Sequence, residues 1–226
     1  MLVLRTPLAA ELVPFDARHQ LSVNNFAIGE QRVILRRDGD VWRYSAHTRP
    51  TGLARLFRRD RLDEQSRFRL IDGRIRVLDY EFHHTGRRTP RHAFLQFDWA
   101  LGRVINDVAG ARWQMPIPPG TLDKLSVQLA LALELAGGAR ELAFDIADGG
   151  KLKRFRFRVT GEERLSLPAG QFDTLRLQRL REDQDRDTWL WCAPILGFLP
   201  VQVRQREHEE GQTYLSRLLE FRRNGE

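Results

Sequence analysis

The feature that most constrains the fold is a period-two alternation of apolar residues, repeated between closely spaced turn signals such as Asp38-Gly39 and Asp72-Gly73. Alternation is typical of a strand with one buried face, and Asp-Gly pairs suit the tight turns of hairpins. The pattern predicts a mainly β protein (α+β at most), with a large curved antiparallel sheet or open barrel. The alternating sets are Leu21/Val23, Val33/Leu35, Trp42/Tyr44/Ala46, Leu78/Tyr80/Phe82, Leu95/Phe97/Trp99, Leu142/Phe144/Ile146, Phe155/Phe157/Val159, Leu175/Leu177, Trp189/Trp191 and Val201/Val203.

One segment, residues 122–136, departs from this alternation. It is rich in Leu and Ala, and its leucines at 122, 125, 129 and 133 form one helical stripe. Two prolines precede it and Gly137-Gly138 follows it, and Thr121 or Asp123 is expected to cap its first turn. We predict a central buried helix on which the sheet packs.

The segment order suggests one β-rich domain over residues 12–226. An arrangement as two sheet halves, 12–117 and 139–223, around helix 122–136 is left open.

Within residues 1–11, the stretches Leu2-Val3-Leu4 and Leu8-Ala9-Ala10 look like the remnant of an export signal, interrupted by Arg5 and Pro7. No apolar run approaches the roughly 18 residues that a transmembrane helix requires.

The net charge of +7 raises the question of an anionic partner. All but three of the 37 basic residues are arginines, and they are spread along the chain instead of being clustered in one tail. This distribution favours a solvated basic surface, with an anionic envelope surface as the alternative. Nucleic-acid binding is not supported by any zinc-finger spacing, phosphate loop or RNA-recognition motif in the sequence.

Three stretches resemble a known family. The chain from about Phe15 to Phe221 is similar in its order of features to the bacterial family catalogued as domain of unknown function 3108. That resemblance implies an exported, periplasmic protein, and it carries over no catalytic residue because the family has no established activity. The three stretches are Leu122-Asp123-Lys124-Leu125-Ser126, residues 167–175 (LPAGQFDTL) and residues 189–201 (WLWCAPILGFLPV).

The residues themselves predict no catalytic group, no metal site and no cofactor. His83 and His84 are adjacent, so in a strand they point to opposite faces. The other histidines show no spacing typical of a zinc site. Cys192 lies among apolar residues, which favours a buried, inert thiol.

We therefore expect a monomeric, non-enzymatic envelope protein that binds or interacts with a partner, with a lipid-like or apolar ligand as one form of that role. Ligand binding requires that the helix only partly fills the concave face; a dry core is the alternative. A hydrolase with a spatially assembled site and a nucleic-acid-binding protein are the other hypotheses. Seven aromatic residues are the candidate ligand contacts: Trp42, Tyr44, Phe97, Trp99, Trp113, Trp189 and Trp191.

Overall fold

The structure is a computed structural model that describes residues 11–52, 55, 60–86, 91–180 and 186–223. The suggested export segment, apart from Glu11, lies outside these residues. The first eight strands are β1 (Phe15–Val23), β2 (Phe26–Asp38), β3 (Val41–Pro50), β4 (Arg61–Ile71), β5 (Arg74–Thr85), β6 (Arg91–Asp98), β7 (Arg103–Val108) and β8 (Ala111–Pro116). They are followed by β9 (Leu122–Asp123), helix α1 (Val127–Ala136), β10 (Glu141–Asp148), β11 (Lys151–Leu167), β12 (Gly170–Leu180), β13 (Arg186–Ala193), β14 (Leu199–Glu207) and β15 (Thr213–Arg223).

All fifteen of these strands belong to one sheet. Its order runs from β8 back to β1, continues from β1 to β15, and then runs back from β15 to β9. The pairing of β1 with β15 therefore joins the first and last parts of the chain at the middle of the sheet. Every neighbouring pair is antiparallel except β9 with β10, so the prediction of a large, mostly antiparallel sheet is confirmed.

The sheet is open, but its two ends come close together. Strands β8 and β9 are its unpaired edges in the described part of the chain. The β10–β11 turn nevertheless approaches β8 so closely that a Cβ atom on Gly150 would lie 2.3 Å from the Trp113 ring. Gly150 also has a φ of +86°, which a residue with a side chain rarely adopts. A flat sheet of fifteen strands would keep its edges far apart, so this contact requires strong curvature.

The helix is present and buried, but it begins five residues later than the sequence predicts. Leu122 and Asp123 pair in parallel with Ile146 and Ala147 and thus form β9. The Asp123 carboxylate then accepts hydrogen bonds from the backbone N–H groups of Leu125 and Ser126, at 2.7 and 2.8 Å, and turns the chain toward α1. The prediction of a helix from residue 122 was wrong because strand pairing takes the first two residues and the Asp123 turn takes the next three.

Helix α1 connects two parts of the apolar core. Leu129 has no exposed surface and packs in the larger cluster, which includes Phe15, Tyr44 and Phe68. Leu131 and Leu135 pack in a second cluster with residues of β10 to β13. Because the helix contributes to both clusters, it is the central element of the interior.

Candidate functional site

An apolar cavity remains on the interior side of the sheet, where β1, β2, β14 and β15 lie side by side. Its volume is about 290 Å³, and it is partly open to solvent. Gln128 of α1 lines it, so the helix borders this space without filling it. Its other lining residues are Phe15, Ala17, His19, Leu21, Ser22, Ile28, Gln31, Val33, Tyr44, Leu196, Leu199, Pro200, Val201, Val203, Gln205, Tyr214, Leu215, Ser216, Leu218 and Phe221.

A smaller cavity of about 130 Å³ shares four lining residues with the first. Phe15, Leu196, Leu199 and Phe221 border both spaces. The two cavities therefore adjoin across a common apolar wall.

The polar groups of the main cavity are neutral. His19 Nε2 lies 3.4 Å from the carbonyl oxygen of Pro200, and burial lowers the pKa of His19 to about 4. The imidazole is therefore uncharged at neutral pH, with Nε2 as the donor and Nδ1 as an acceptor that has no partner among the described residues. The Tyr44 hydroxyl donates to Gln128 Oε1 at 3.2 Å, and burial raises the pKa of Tyr44 above its ordinary value.

Of these two adjoining cavities, charged residues border only the smaller one. Of the described residues, none that lines the 290 Å³ cavity is Asp, Glu, Lys or Arg. Glu11 and Arg223 line the smaller cavity, one of each sign. The main cavity therefore selects for apolar surface, since burying a charge there would leave it unpaired.

The structure places one of the seven predicted aromatic contacts at this cavity, namely Tyr44. Trp42 is buried and stacks on Phe68 at a ring-centroid distance of 6.4 Å. Phe97 stacks on Trp99, whose indole N–H donates to the carbonyl oxygen of Val77 at 2.6 Å. These three side chains pack within the interior of the first part of the sheet.

The remaining three aromatic candidates lie elsewhere on the sheet. Trp113 is partly exposed beside Gly150 at the sheet edge. Trp191 is buried, and its indole N–H donates to Glu163 Oε2 at 2.8 Å. The Arg204 guanidinium lies 4.6 Å from the centre of the Trp189 ring and 5.5 Å from that of Trp191.

A polar cluster in the interior is the feature nearest to a hydrolytic site, but three of its four residues are buried. The Ser66 hydroxyl donates to Asp123 Oδ2 at 2.5 Å, and the Tyr80 hydroxyl donates to Glu64 Oε1 at 2.6 Å. Ser66 and Asp123 have no exposed surface, and Tyr80 is 3% exposed. A substrate could not reach Ser66, Asp123 or Tyr80 without unfolding of the interior, so their geometry favours a structural role.

Cys192 is fully buried, as its apolar surroundings in the sequence predict. Burial raises the pKa of its thiol well above the ordinary value, so it is protonated at neutral pH. A thiol needs its thiolate form to act as a nucleophile. Cys192 is therefore a packing residue.

Several arginines of the outer sheet surface form ion pairs with carboxylates of neighbouring strands or turns. Arg67 binds Asp79, Arg69 binds Asp40, and Arg32 binds Asp16. A nucleic-acid-binding surface needs basic side chains free to contact phosphates. These ion pairs reduce the number of free basic side chains that the nucleic-acid hypothesis requires.

No helix among the described residues is long and apolar enough to span a membrane.

Comparison with solved structures supports the fold. The chain is similar to the beta-barrel-like protein of domain of unknown function DUF1849 from Brucella abortus, with a TM-score of 0.61 and 10% sequence identity, over 96% of this chain and all of the other. It also matches a "putative lipoprotein" from Parabacteroides distasonis with a TM-score of 0.37 and 10% identity, over 93% and 96% of the two chains. At these identities the first likeness shows the fold alone, and the second is too weak to carry an argument.

Comparison of sequences places the chain in a family without an assigned activity. No curated protein matches it. The profile described as "Protein of unknown function (DUF3108)" matches residues 18–214, which include β2 to β14 entirely and most of β1. The chain therefore belongs to the DUF3108 family, as its three characteristic stretches suggested.

Proposed function

We propose that this protein is a non-enzymatic envelope protein that binds a single apolar, chain-like ligand on the interior side of its sheet. The observation that carries the proposal is the 290 Å³ cavity that α1 borders without filling. A dry core would have no such space, because protein interiors normally pack with few voids larger than a water molecule.

The volume of the cavity limits the size of the ligand that it can hold. Small-molecule pockets commonly occupy roughly 300–1,000 Å³, so this one is at the lower end. It suits one acyl or similar hydrocarbon chain better than a sterol or a multi-chain lipid. The smaller adjoining cavity extends the path of such a chain past Leu196 and Phe221.

The chemistry of the lining indicates which part of the ligand is recognised. The main cavity offers apolar side chains and neutral groups, so the hydrocarbon contributes the affinity, at about 0.8 kcal/mol per buried methylene. Arg223, the arginine at the smaller cavity, is balanced there by Glu11. A charged head group near Arg223 would therefore also face Glu11 and is not the main determinant of binding.

The test is a titration of purified protein with a fluorescent fatty-acid probe and with the alcohol of the same chain. Both should bind saturably. Ser216→Trp should raise the dissociation constant by about tenfold or more, because its indole takes space that at least two methylenes would otherwise occupy. Ser216 lines the cavity between Tyr214 and Leu218.

The matched control is Ser45→Trp. Ser45 lies in β3 on the face opposite Tyr44 and does not line the cavity. It should bind both probes like the native protein. Absence of saturable binding to a well-folded native protein, or unchanged binding in Ser216→Trp, would contradict the proposal.

The envelope location rests on the sequence. The resemblance to the DUF3108 family implies export, and Leu8-Ala9-Ala10 resembles the end of an export signal. Fractionation of cells that express the native reading frame should recover the protein in the periplasmic fraction. Recovery from the cytosol alone would show that this part of the proposal is wrong, without bearing on the cavity.

A further inference from the structure

Two histidines and a glutamate meet on the outer face of the sheet, away from the cavity. His83 of β5 lies directly opposite His92 of β6, and their rings stack at a centroid distance of 4.3 Å. Glu81 precedes His83 by two residues, so it projects from the same face. The β5–β6 register thus brings His92 to the pair that Glu81 and His83 form within β5.

The ligating atoms of the three residues converge. Glu81 Oε1 lies 2.7 Å from His83 Nε2 and 3.4 Å from His92 Nε2. One potential ligand atom from each residue lies within 4.8 Å of the other two. In a tetrahedral site with bonds of 2.0–2.1 Å, ligand atoms are about 3.3–3.5 Å apart. The 3.4 Å separation matches this value and the 2.7 Å separation is shorter, so side-chain rotations that move Glu81 Oε1 and His83 Nε2 apart would accommodate an ion.

We propose that Glu81, His83 and His92 form a binding site for a divalent transition-metal ion. Imidazole and carboxylate ligands suit zinc and its neighbours in the first transition row. Two histidines and one carboxylate occupy three coordination positions and leave the others to solvent. The side chains are each about two-fifths exposed, so an ion reaches them directly from water.

The surroundings distinguish this cluster from the ordinary ion pairs nearby. Asp63 lies opposite His83 on β4, but Arg49 and His47 already hydrogen-bond to it. His84 points to the other face and lies 3.1 Å from Asp60. The Glu81 carboxylate is the one that two imidazoles share, and its hydrogen bond with His83 is the largest factor that lowers its pKa. It is therefore ionised and able to ligate at neutral pH.

The test is calorimetric titration of the untagged full chain with zinc at pH 7.5. The native protein should bind one equivalent, and His83→Ala, His92→Ala and Glu81→Gln should each weaken binding about tenfold or more, the range reported for loss of a supporting metal contact. Magnesium at the same concentration should not bind.

The control is His208→Ala. His208 is similarly exposed and lies 2.9 Å from Asp187, so it offers a histidine–carboxylate pair without a second histidine. It should retain native zinc affinity. Absence of zinc binding to the native protein, equal binding by the His83→Ala/His92→Ala double variant, or equal binding of magnesium would overturn the proposal. The cavity and its ligand are tested separately, so neither result decides the other.

Discussion

Replacing Leu129 with alanine is expected to lower the free energy of unfolding by about 2–5 kcal/mol. Leu129 has no exposed surface, and α1 contributes to both apolar clusters of the interior. Removal of its side chain would leave a void that the surrounding strands cannot fill, because their positions are determined by the sheet hydrogen bonds. Denaturant-induced unfolding followed by circular dichroism measures the change.

Leu133→Ala is the matched control for this prediction. Leu133 lies one turn further along the same helix, but it is only partly buried. Its loss should be clearly smaller, because less surface is returned to water and the site can be solvated. An unchanged midpoint in Leu129→Ala would show that α1 is peripheral to stability, and equal losses in the two variants would show that burial does not set the size of the effect.

Asp123→Ala is expected to destabilise the protein by about 3 kcal/mol or more. Its carboxylate accepts hydrogen bonds from the backbone N–H groups of Leu125 and Ser126 and from the Ser66 hydroxyl. All three donors are buried, and each unsatisfied buried donor costs about 1–3 kcal/mol. Burial raises the pKa of Asp123, so removal of the desolvated carboxylate offsets part of this loss.

Asp123→Asn separates hydrogen bonding from charge. Its side-chain oxygen can still accept the bonds from Leu125 and Ser126, so the turn into α1 should persist and the loss of unfolding free energy should be smaller. The same denaturant experiment measures both variants. An Asp123→Ala variant as stable as the native protein would mean that another group holds the β9–α1 turn.

The sequence predicts well whether a segment is a strand or a helix and which of its faces is buried, because both properties depend on local patterns. Alternation at Trp42 and Tyr44 or at Leu95 and Phe97 requires one buried face, whichever strand lies alongside. The apolar composition around Leu129 likewise requires a buried helix. Local patterns could not locate the start of that helix. Leu122 and Asp123 pair with β10, a strand that begins about 20 residues further along the chain.

The candidate cavity could not be located in the same way. Its walls come from β1 and β15, whose paired residues Leu21 and Ser216 are separated by most of the chain. Alternation assigns residues to a face of their own strand, but it does not say which strands become neighbours. The sequence therefore predicts aromatic residues as the ligand contacts. Most of the cavity wall is instead built from aliphatic and small residues such as Val201 and Ser216.

The sequence by itself determined a β-rich fold with one buried helix, a buried Cys192 and the membership of a family. Only the tertiary structure decided that the sheet has β8 and β9 as its edges, that α1 leaves space beside β1 and β15, and that His83 meets His92. The physical reason is that strand pairing depends on backbone hydrogen bonds between distant segments. Those bonds are nearly independent of side-chain identity, so no local sequence pattern identifies the residues that they bring together.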